Sequence, residues 1–237
     1  MGIILYFFRG TAEKAELILF SNIHIMLLAL ALFGSLFILK SKKDNKKLEI
    51  IIGVCLLSQQ FILYSWYLIT KYKLLEDGLP LYHCRIAIIT MGLGLVFNKK
   101  NLVKIGSYWG IFGSISALIF VNLDPFLFPH LTQFSYFIGH YFLLWGATYL
   151  LWIKQIGMNK IDYKNALIFT NIYHISMFFV NKLLKSNYGY VSSSPIGIGN
   201  NLNPIIYLII VMMIFNIILT IEYKLCNKNK IIKKNTS

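Results

Sequence analysis

Long apolar runs alternate with short polar gaps along almost the whole chain. A helix of about 20 apolar residues is long enough to cross the hydrocarbon core of a bilayer. The pattern therefore predicts an all-α, polytopic membrane protein, a bundle of seven transmembrane helices. The predicted spans are 17–39, 48–70, 81–97, 105–122, 131–153, 165–184 and 205–223. An N-terminal lead (1–16) precedes this transmembrane domain (17–223), and a basic tail (224–237) follows it.

The basic residues are divided unevenly between alternate gaps. Counted with the two ends of the chain, one side of the predicted bundle has 16 Lys and Arg residues and the other has 6. Cytoplasmic loops carry the excess of positive charge in membrane proteins. We therefore expect the C-terminus in the cytoplasm and the N-terminus outside, which agrees with an odd number of spans.

The composition supports the membrane class and argues against several others. Hydrophobic residues make up 57% of the chain and charged residues only 14%, whereas a soluble domain carries about a quarter charged residues. The net charge of +14 lies in the gaps rather than on one folded face with aromatic neighbours, so we expect no nucleic-acid partner. Without a CxxC pair, a phosphate-binding loop or an HExxH sequence, we also expect no metal and no cofactor.

The triplet His83-Cys84-Arg85 stands at the edge of the third apolar run. Ionisable groups in such segments are expensive, and each is a candidate for function. A cation beside the Cys84 thiol would favour the reactive thiolate. Adjacent residues on a helix face different directions, so only one of His83 and Arg85 need lie near the sulfur. An inert membrane cysteine is the alternative, and it is the expectation for Cys55 and Cys226.

His140, within the fifth run, is the candidate general base for Cys84. The alternative is a histidine in a helix–helix hydrogen bond. The depths of the two residues conflict: at 1.5 Å per residue, Cys84 lies ~5 Å and His140 ~14 Å into their predicted spans. The pair meets only if the third helix starts near Leu74, or if the fifth helix begins with an unwound or tilted stretch.

Other polar residues could line the same pocket. His174 and His24 lie in other spans, and as single histidines they are more often structural. Asn181, Asn187 and Tyr188 bracket the outer end of the sixth span and could bind a lipid headgroup, although tyrosine is enriched at membrane interfaces for purely physical reasons.

Several short motifs taken together resemble a known family. Residues 80–84 are similar to the Pro-Leu-x-x-Cys opening of a span in the YwaF-type bacterial membrane proteins, which are related to the transmembrane protein 164 family. The small-residue segment 108–118 resembles their fourth span. Further likenesses are Phe128-Pro129-His130, Gly139-His140, Asn171-Ile172-Tyr173, Asn181, Asn187-Tyr188 and Pro195. Two features depart from the family pattern: Arg85 stands where an acidic residue commonly follows the cysteine, and 197–204 replaces a Gly-Pro-Trp-Pro-Trp run.

The resemblance implies a seven-span bundle in a bacterial plasma membrane. From the eukaryotic relatives, it implies a lipid acyltransferase whose cysteine and histidine correspond to Cys84 and His140. No internal repeat and no matched pair of interrupted helices is evident, which weakens a transporter of the inverted-repeat kind.

Two functional hypotheses follow, besides an assembly or stress-response membrane factor. In the first, Cys84 attacks the ester of a phospholipid, His140 moves the proton, and a lysophospholipid hydroxyl or water resolves the thioester. His83 or Arg85 would contact the phosphate, and the backbone near Gly78 or the Asn181 side chain would hold the oxyanion. In the second, the same polar groups line the pocket of a non-catalytic binding or transport subunit.

Overall fold

The protein is all-helical over the residues that the structure, a computed structural model, describes: 2–13 and 17–234, with side chains as far as 227. No strand occurs in this part of the chain. Eight α-helices follow one another: α1 (Ile3–Phe7), α2 (Asn22–Ile38), α3 (Lys46–Thr70), α4 (His83–Val96), α5 (Lys100–Ile119), α6 (Leu131–Thr148), α7 (Lys160–Leu184) and α8 (Pro204–Lys234). A π-helical turn, Tyr149–Ile153, continues α6, and a 3₁₀ turn, Tyr188–Tyr190, lies between α7 and α8.

The seven helices α2–α8 lie where the apolar runs predict helices, so the all-α class is confirmed. By length and composition, α3, α5, α7 and the part of α8 up to Asn227 can each cross a membrane. The helices α2 and α4 are shorter but apolar. Large apolar side chains cover the outside of the bundle; Phe61, for example, is 75% exposed and Ile69 is 80% exposed. Such a surface is compatible with lipid as the surrounding solvent and not with water.

Local capping moves several helix boundaries from their predicted places. The Ser21 hydroxyl accepts the N–H of His24, so α2 begins at Asn22. A capping box between Asn159 and Asp162 starts α7 at Lys160, before the apolar run itself.

The two ends of the chain also differ from the predicted boundaries. Helix α8 passes the predicted boundary at 223 and continues to Lys234. Residues 14–16 of the predicted lead lie outside the described residues.

Met91 of α4 marks a level at which α4, α5 and α6 pack closely. A Cβ placed on Gly106 of α5 would lie 2.6 Å from the Met91 backbone nitrogen, and one on Gly146 of α6 would lie 2.7 Å from the Met91 sulfur. On Gly110 of α5 it would lie 2.7 Å from Leu143 of α6. Glycine is required at position 106 because a side chain there would meet the Met91 backbone, whereas at positions 110 and 146 the side chain of the neighbouring helix would have to move. The three glycines bring α4, α5 and α6 together into one core.

The two ends of the bundle are built differently. Where α3 begins and α6 ends, the buried Glu49 carboxylate pairs with Lys154 and, at 3.4 Å, with Lys46. Lys104 of α5 pairs with Asp162 of α7 at 2.5 Å. The opposite end, where α4 and α6 begin, consists of the connections 71–82, 120–130 and 185–203. We refer to it as the loop end.

The N-terminal segment runs across the loop end and ties two of these elements together. Trp66 donates its indole N–H to the Phe8 carbonyl at 3.0 Å, and His130 Nε2 donates to the Arg9 carbonyl at 2.9 Å. The Arg9 guanidinium donates to the Leu127 carbonyl at 2.6 Å and is paired with Glu13. These bonds fix the connection 120–130 against α3, and that connection forms part of the cavity described next.

Candidate functional site

A cavity of about 590 Å³ lies at the loop end, between the start of α4 and helices α5, α6 and α8. Its wall contains both residues of the predicted catalytic pair, Cys84 and His140, together with His83 and Arg85. The helices α5 and α8 supply its apolar side, and the connections 71–82 and 120–130 supply charged residues.

Cys84 is the second residue of α4, and the start of that helix is uncapped. Tyr82 occupies the N-cap position, but its side chain makes no capping hydrogen bond. The N–H groups of the first helical turn have no partner within a helix, and a helix start carries partial positive charge. Both properties favour a thiolate at this position and an anion beside it. Gly113 of α5 lies directly beside the sulfur: its Cβ would lie 3.1 Å from Cys84 Sγ.

Cys84 and His140 lie at the same level of the bundle. Because α4 and α6 both begin at the loop end, levels can be counted from the contact between Met91 and Gly146. At 1.5 Å per residue, Cys84 lies ~10 Å and His140 ~9 Å from that contact toward the loop end. The depth conflict in the sequence argument arose because the two apolar runs do not begin at the same level. The helix α4 starts at His83 rather than near Leu74, and α6 is helical from Leu131, without an unwound start.

His140 has one ring nitrogen committed and one free for the cavity. Its Nδ1 donates to the backbone carbonyl of Tyr136 at 2.6 Å, one helical turn earlier. A carbonyl can only accept, so the proton of the neutral ring is on Nδ1 and the lone pair is on Nε2. This is the tautomer that a general base requires.

His83 and His174 form a buried pair next to Cys84. Their Nε2 atoms are 2.9 Å apart, so one ring donates to the other. The His83 ring also stacks on Phe215 of α8, with ring centroids 4.4 Å apart and an angle of 15° between the planes. His83 lines the cavity, whereas His174 lies behind it and is fully buried. The pair holds the His83 ring in one orientation at the cavity wall.

Arg85 holds the connection between α3 and α4 in place. Its guanidinium donates to the carbonyls of Asp77 and Leu79 and, at 3.1 Å, to the Tyr67 hydroxyl. A guanidinium has five N–H donors, and these contacts use three of them. Asp77, Asp124 and Lys73 line the cavity on the same side. Burial raises the pKa of the Asp124 carboxyl, although the positive charge of Arg85 opposes this shift.

The residues predicted to bind a lipid headgroup form hydrogen bonds within the protein instead. The Asn181 amide bonds to Tyr188, Ser186 and Ser192, and the Asn187 amide bonds to Ser192 and Ser193. The Tyr188 hydroxyl donates to the Leu75 carbonyl at 2.9 Å and accepts from the Leu79 N–H. None of Asn181, Asn187 and Tyr188 belongs to the cavity wall. They shape the connection 185–203 from behind, because an amide inside a loop satisfies backbone groups that water cannot reach.

Three further residues from the sequence argument also have structural partners. The Gly78 N–H bonds to the Lys73 carbonyl at 3.1 Å. His24 is fully buried and donates to the Leu118 carbonyl at 2.8 Å. Cys55 lies on α3, outside the cavity wall.

Sequence reasoning did not single out the aromatic and apolar part of the wall. These residues are Phe112 of α5, Phe120 directly after it, Tyr136 of α6, and Tyr207, Val211, Ile214 and Phe215 of α8. The positions 207, 211, 214 and 215 have helical spacing and so share one face of α8. That signal is present in the sequence, but a uniformly apolar helix does not show which of its faces meets a cavity.

Taken together, the helices and the cavity define a helical membrane protein that encloses a thiol and an imidazole in one pocket. The chain belongs to the TMEM164 family, whose model matches residues 14–230. This membership confirms the relation to the transmembrane protein 164 family expected from the motifs. Neither a curated protein nor a solved structure matches the chain at a significant level.

Proposed function

We propose that helices α2–α8 all span the plasma membrane of a bacterium, with the N-terminus outside and the C-terminus in the cytoplasm. The number and order of these helices, their apolar exteriors and the 16-to-6 division of Lys and Arg support this topology. In this orientation the loop end, with the cavity, faces the outer leaflet. The ion pairs of Glu49 and of Lys104 then lie on the cytoplasmic side.

We further propose that the protein transfers or hydrolyses the acyl chain of a phospholipid-type substrate through a thioester on Cys84. The observation that carries this proposal is the position of Cys84 at an uncapped helix start, in the same cavity and at the same level as His140. A nucleophile with a nearby base is the arrangement required for covalent acyl transfer.

In the first half-reaction, His140 Nε2 accepts the Cys84 proton and the sulfur attacks the ester carbonyl carbon. The oxyanion that forms lies near the N–H groups of the first turn of α4, which no side chain caps. These groups replace the donors considered from the sequence: the Gly78 N–H already donates to Lys73, and the Asn181 side-chain amide already donates to Tyr188 and Ser192. The C–O bond then breaks, the proton passes from His140 to the leaving alkoxide, and a lysolipid departs.

In the second half-reaction, His140 removes a proton from an incoming hydroxyl group. A lysophospholipid hydroxyl gives acyl transfer, and water gives hydrolysis. The new oxygen attacks the thioester carbonyl, the C–S bond breaks, and the Cys84 thiolate takes back the proton. At the end of the cycle the Cys84 thiol and the His140 imidazole are in their starting protonation states, so the reaction balances without a cofactor.

The cavity wall suits an amphipathic lipid. Arg85 and Lys73 offer positive charge to a phosphate at one end. Phe112, Val211 and Phe215 provide an apolar surface for hydrocarbon at the other end. A cavity with an apolar body and a few convergent polar groups is the usual form of a small-molecule site.

The test is to look for the acyl-enzyme. The purified protein is incubated with phospholipids that carry an alkyne-tagged acyl chain, and hydroxylamine-labile label is located by peptide mass spectrometry. We expect label on Cys84 in the wild type, no label in Cys84→Ser, and much less label in His140→Gln. Cys55→Ser is the matched control, because it removes a thiol outside the cavity and should change nothing.

The same experiment distinguishes the non-catalytic alternative. If folded wild-type protein gains no label from several lipid classes, the acyl-enzyme mechanism is wrong and a binding or transport subunit becomes the better hypothesis. Label that persists in Cys84→Ser would exclude Cys84 as the nucleophile.

A further inference from the structure

Several residues of the cavity wall are also exposed on the outside of the bundle. Phe120, directly after α5, is 43% exposed, Ile214 of α8 is 48% exposed, and Ile196 of the connection between α7 and α8 is 45% exposed. All three line the cavity. A side chain that belongs to both surfaces marks a place where the two surfaces meet. The cavity therefore opens sideways between α5 and α8.

Small residues keep this gap open. The face of α5 that lines the cavity contains Gly113, Ser116 and Ala117, opposite Val211 of α8. Within 4 Å a Cβ on Gly113 would meet only the Cys84 sulfur of α4, so no residue of α8 fills the space beside it.

Toward the middle of the bundle, two large aromatic residues close the gap between α5 and α8. Phe112 of α5 and Phe215 of α8 are in edge-to-face contact, with ring centroids 5.8 Å apart. Since α5 and α8 run in opposite directions, the positions beyond this contact toward the loop end are Ser116 and Ala117 on one helix and Val211 on the other. The gap is thus closed by two aromatic rings in the middle of the bundle and is bordered by smaller side chains in the next turn toward the loop end.

The neighbouring seams of the bundle are sealed. At the level of the cavity, a Cβ on Gly113 of α5 would lie 3.1 Å from the Cys84 sulfur of α4, and the Tyr136 hydroxyl of α6 donates to the Ala117 carbonyl of α5 at 2.6 Å. Asn171 of α7 and Asn216 of α8 exchange two hydrogen bonds of 3.1 Å, which fasten α8 to α7. A ligand that comes from the side therefore has the α5–α8 gap as its path to Cys84.

We propose that one hydrocarbon chain of a bilayer lipid enters the cavity sideways through the gap between α5 and α8, while the polar end of the lipid stays at the Arg85 and Lys73 side. The apolar rim, which faces the lipid phase, and the charged opposite end of the cavity support this occupant. A chain that takes this path never leaves an apolar surrounding, whereas entry from water would require its full hydration. The proposal rests on the proposed function for the identity of the occupant as a lipid.

The test compares two reagents that alkylate the Cys84 thiol without any acyl transfer. Full-length protein in liposomes is treated with N-ethylmaleimide, which is small and water-soluble, or with N-hexadecylmaleimide, which partitions into the bilayer. Modification of Cys84 is followed over time by peptide mass spectrometry. The variants are Ser116→Phe, which fills the gap, and Ile115→Phe, a neighbour on the exposed side of α5 that does not line the cavity.

We expect Ser116→Phe to slow the long-chain reagent by about tenfold or more, because moving a chain past an overpacked contact raises the barrier. The small reagent should change by less than about threefold, since it can enter at the loop end. Ile115→Phe should behave as the wild type with both reagents. If Ser116→Phe does not fold, Val211→Phe fills the same gap from the α8 side.

Equal slowing of both reagents would mean one shared route, and unchanged rates would mean that the gap is not used; either result overturns the proposal. Its failure is distinguishable from failure of the proposed function, because alkylation needs only an accessible thiol. A gap that selects for the long chain in a protein that forms no acyl adduct would leave the sideways entry intact and remove the catalytic mechanism.

Discussion

Two stretches of one face of α5 use small residues for opposite purposes. At Gly106 and Gly110 the space above the glycine is filled by Met91 and Leu143 from the adjacent helices. Two turns further on, Gly113 faces only the Cys84 sulfur, and Ser116 and Ala117 border the cavity. Where a large side chain of another helix lies opposite a small residue, the two helices pack closely. Where no large side chain lies opposite, a space remains between the helices. The same residue type thus makes the packed half rigid and the loop end accessible.

The charges show the same division. In the packed half, Glu49 is 2% exposed and is held by two lysines. At the loop end, Lys73 and Asp77 are 3.8 Å apart, and their side chains are 49% and 30% exposed. The first arrangement contributes to the fold, whereas the second leaves its charges available to a ligand. Four substitutions test this division, beginning with the largest expected effect.

Gly106→Val should destabilise the protein most. Its Cβ would lie 2.6 Å from the backbone of Met91, which cannot move aside, and overpacking of this kind costs about 3 kcal/mol. Thermal unfolding in detergent micelles measures the loss. Gly113→Val is the matched control on the same helix: it should keep a nearly normal unfolding midpoint and instead reduce labelling of Cys84. An equal drop in midpoint for both variants would contradict the division of α5 into a packed and an open stretch.

Glu49→Gln should destabilise the protein by about 1–3 kcal/mol. The substitution removes the partner of Lys154 and Lys46 at a buried site, and the partial exposure of both lysines keeps the loss below that of a fully buried pair. The unfolding midpoint should fall while formation of the Cys84 adduct in the folded fraction stays normal. A change in adduct formation at constant stability would show that the packed half affects the site directly.

His174→Gln should cost about 1–2 kcal/mol and also reduce adduct formation at Cys84. The substitution removes the partner that orients His83 at the cavity wall. His24→Gln is the control, because His24 is as deeply buried but bonds to Leu118 and Phe20, outside the cavity wall. We expect a similar loss of stability in His24→Gln with unchanged labelling. Equal labelling in the two variants would show that the orientation of His83 by His174 does not matter for adduct formation at Cys84.

Lys73→Gln should have the smallest effect on stability, below about 1 kcal/mol, since the pair with Asp77 is long and half-exposed. The substitution should instead reduce the affinity of the protein for an anionic lipid, measured by vesicle flotation. This affinity should also become less dependent on salt. Lys46→Gln, at the packed end, is the comparison and should leave flotation unchanged. A large stability loss in Lys73→Gln would place this residue among the structural charges.

The sequence by itself determined the helices and the main chemical groups of the site. Apolar runs separated by charged gaps predict α2–α8 because hydrophobic length is a local property, which each segment carries whatever its neighbours are. The cost of placing ionisable groups in such runs singled out His83, Cys84, Arg85 and His140, and all four line one cavity. The family relation was inferred from short motifs, and the TMEM164 family model that matches residues 14–230 confirms this relation.

Only the tertiary structure decided how these groups relate to one another. Cys84 and His140 share a level because the contacts of Met91 with Gly106 and Gly146 set the helices against each other, and no count along one run contains that offset. Asn181, Asn187 and Tyr188 have the residue types of a headgroup site, but the loop uses their hydrogen bonds. Likewise, Gly106 and Gly113 are the same residue on the same helix, and their different roles depend on which side chain stands opposite. Packing between segments is non-local, so it lies beyond what any single stretch of the chain can specify.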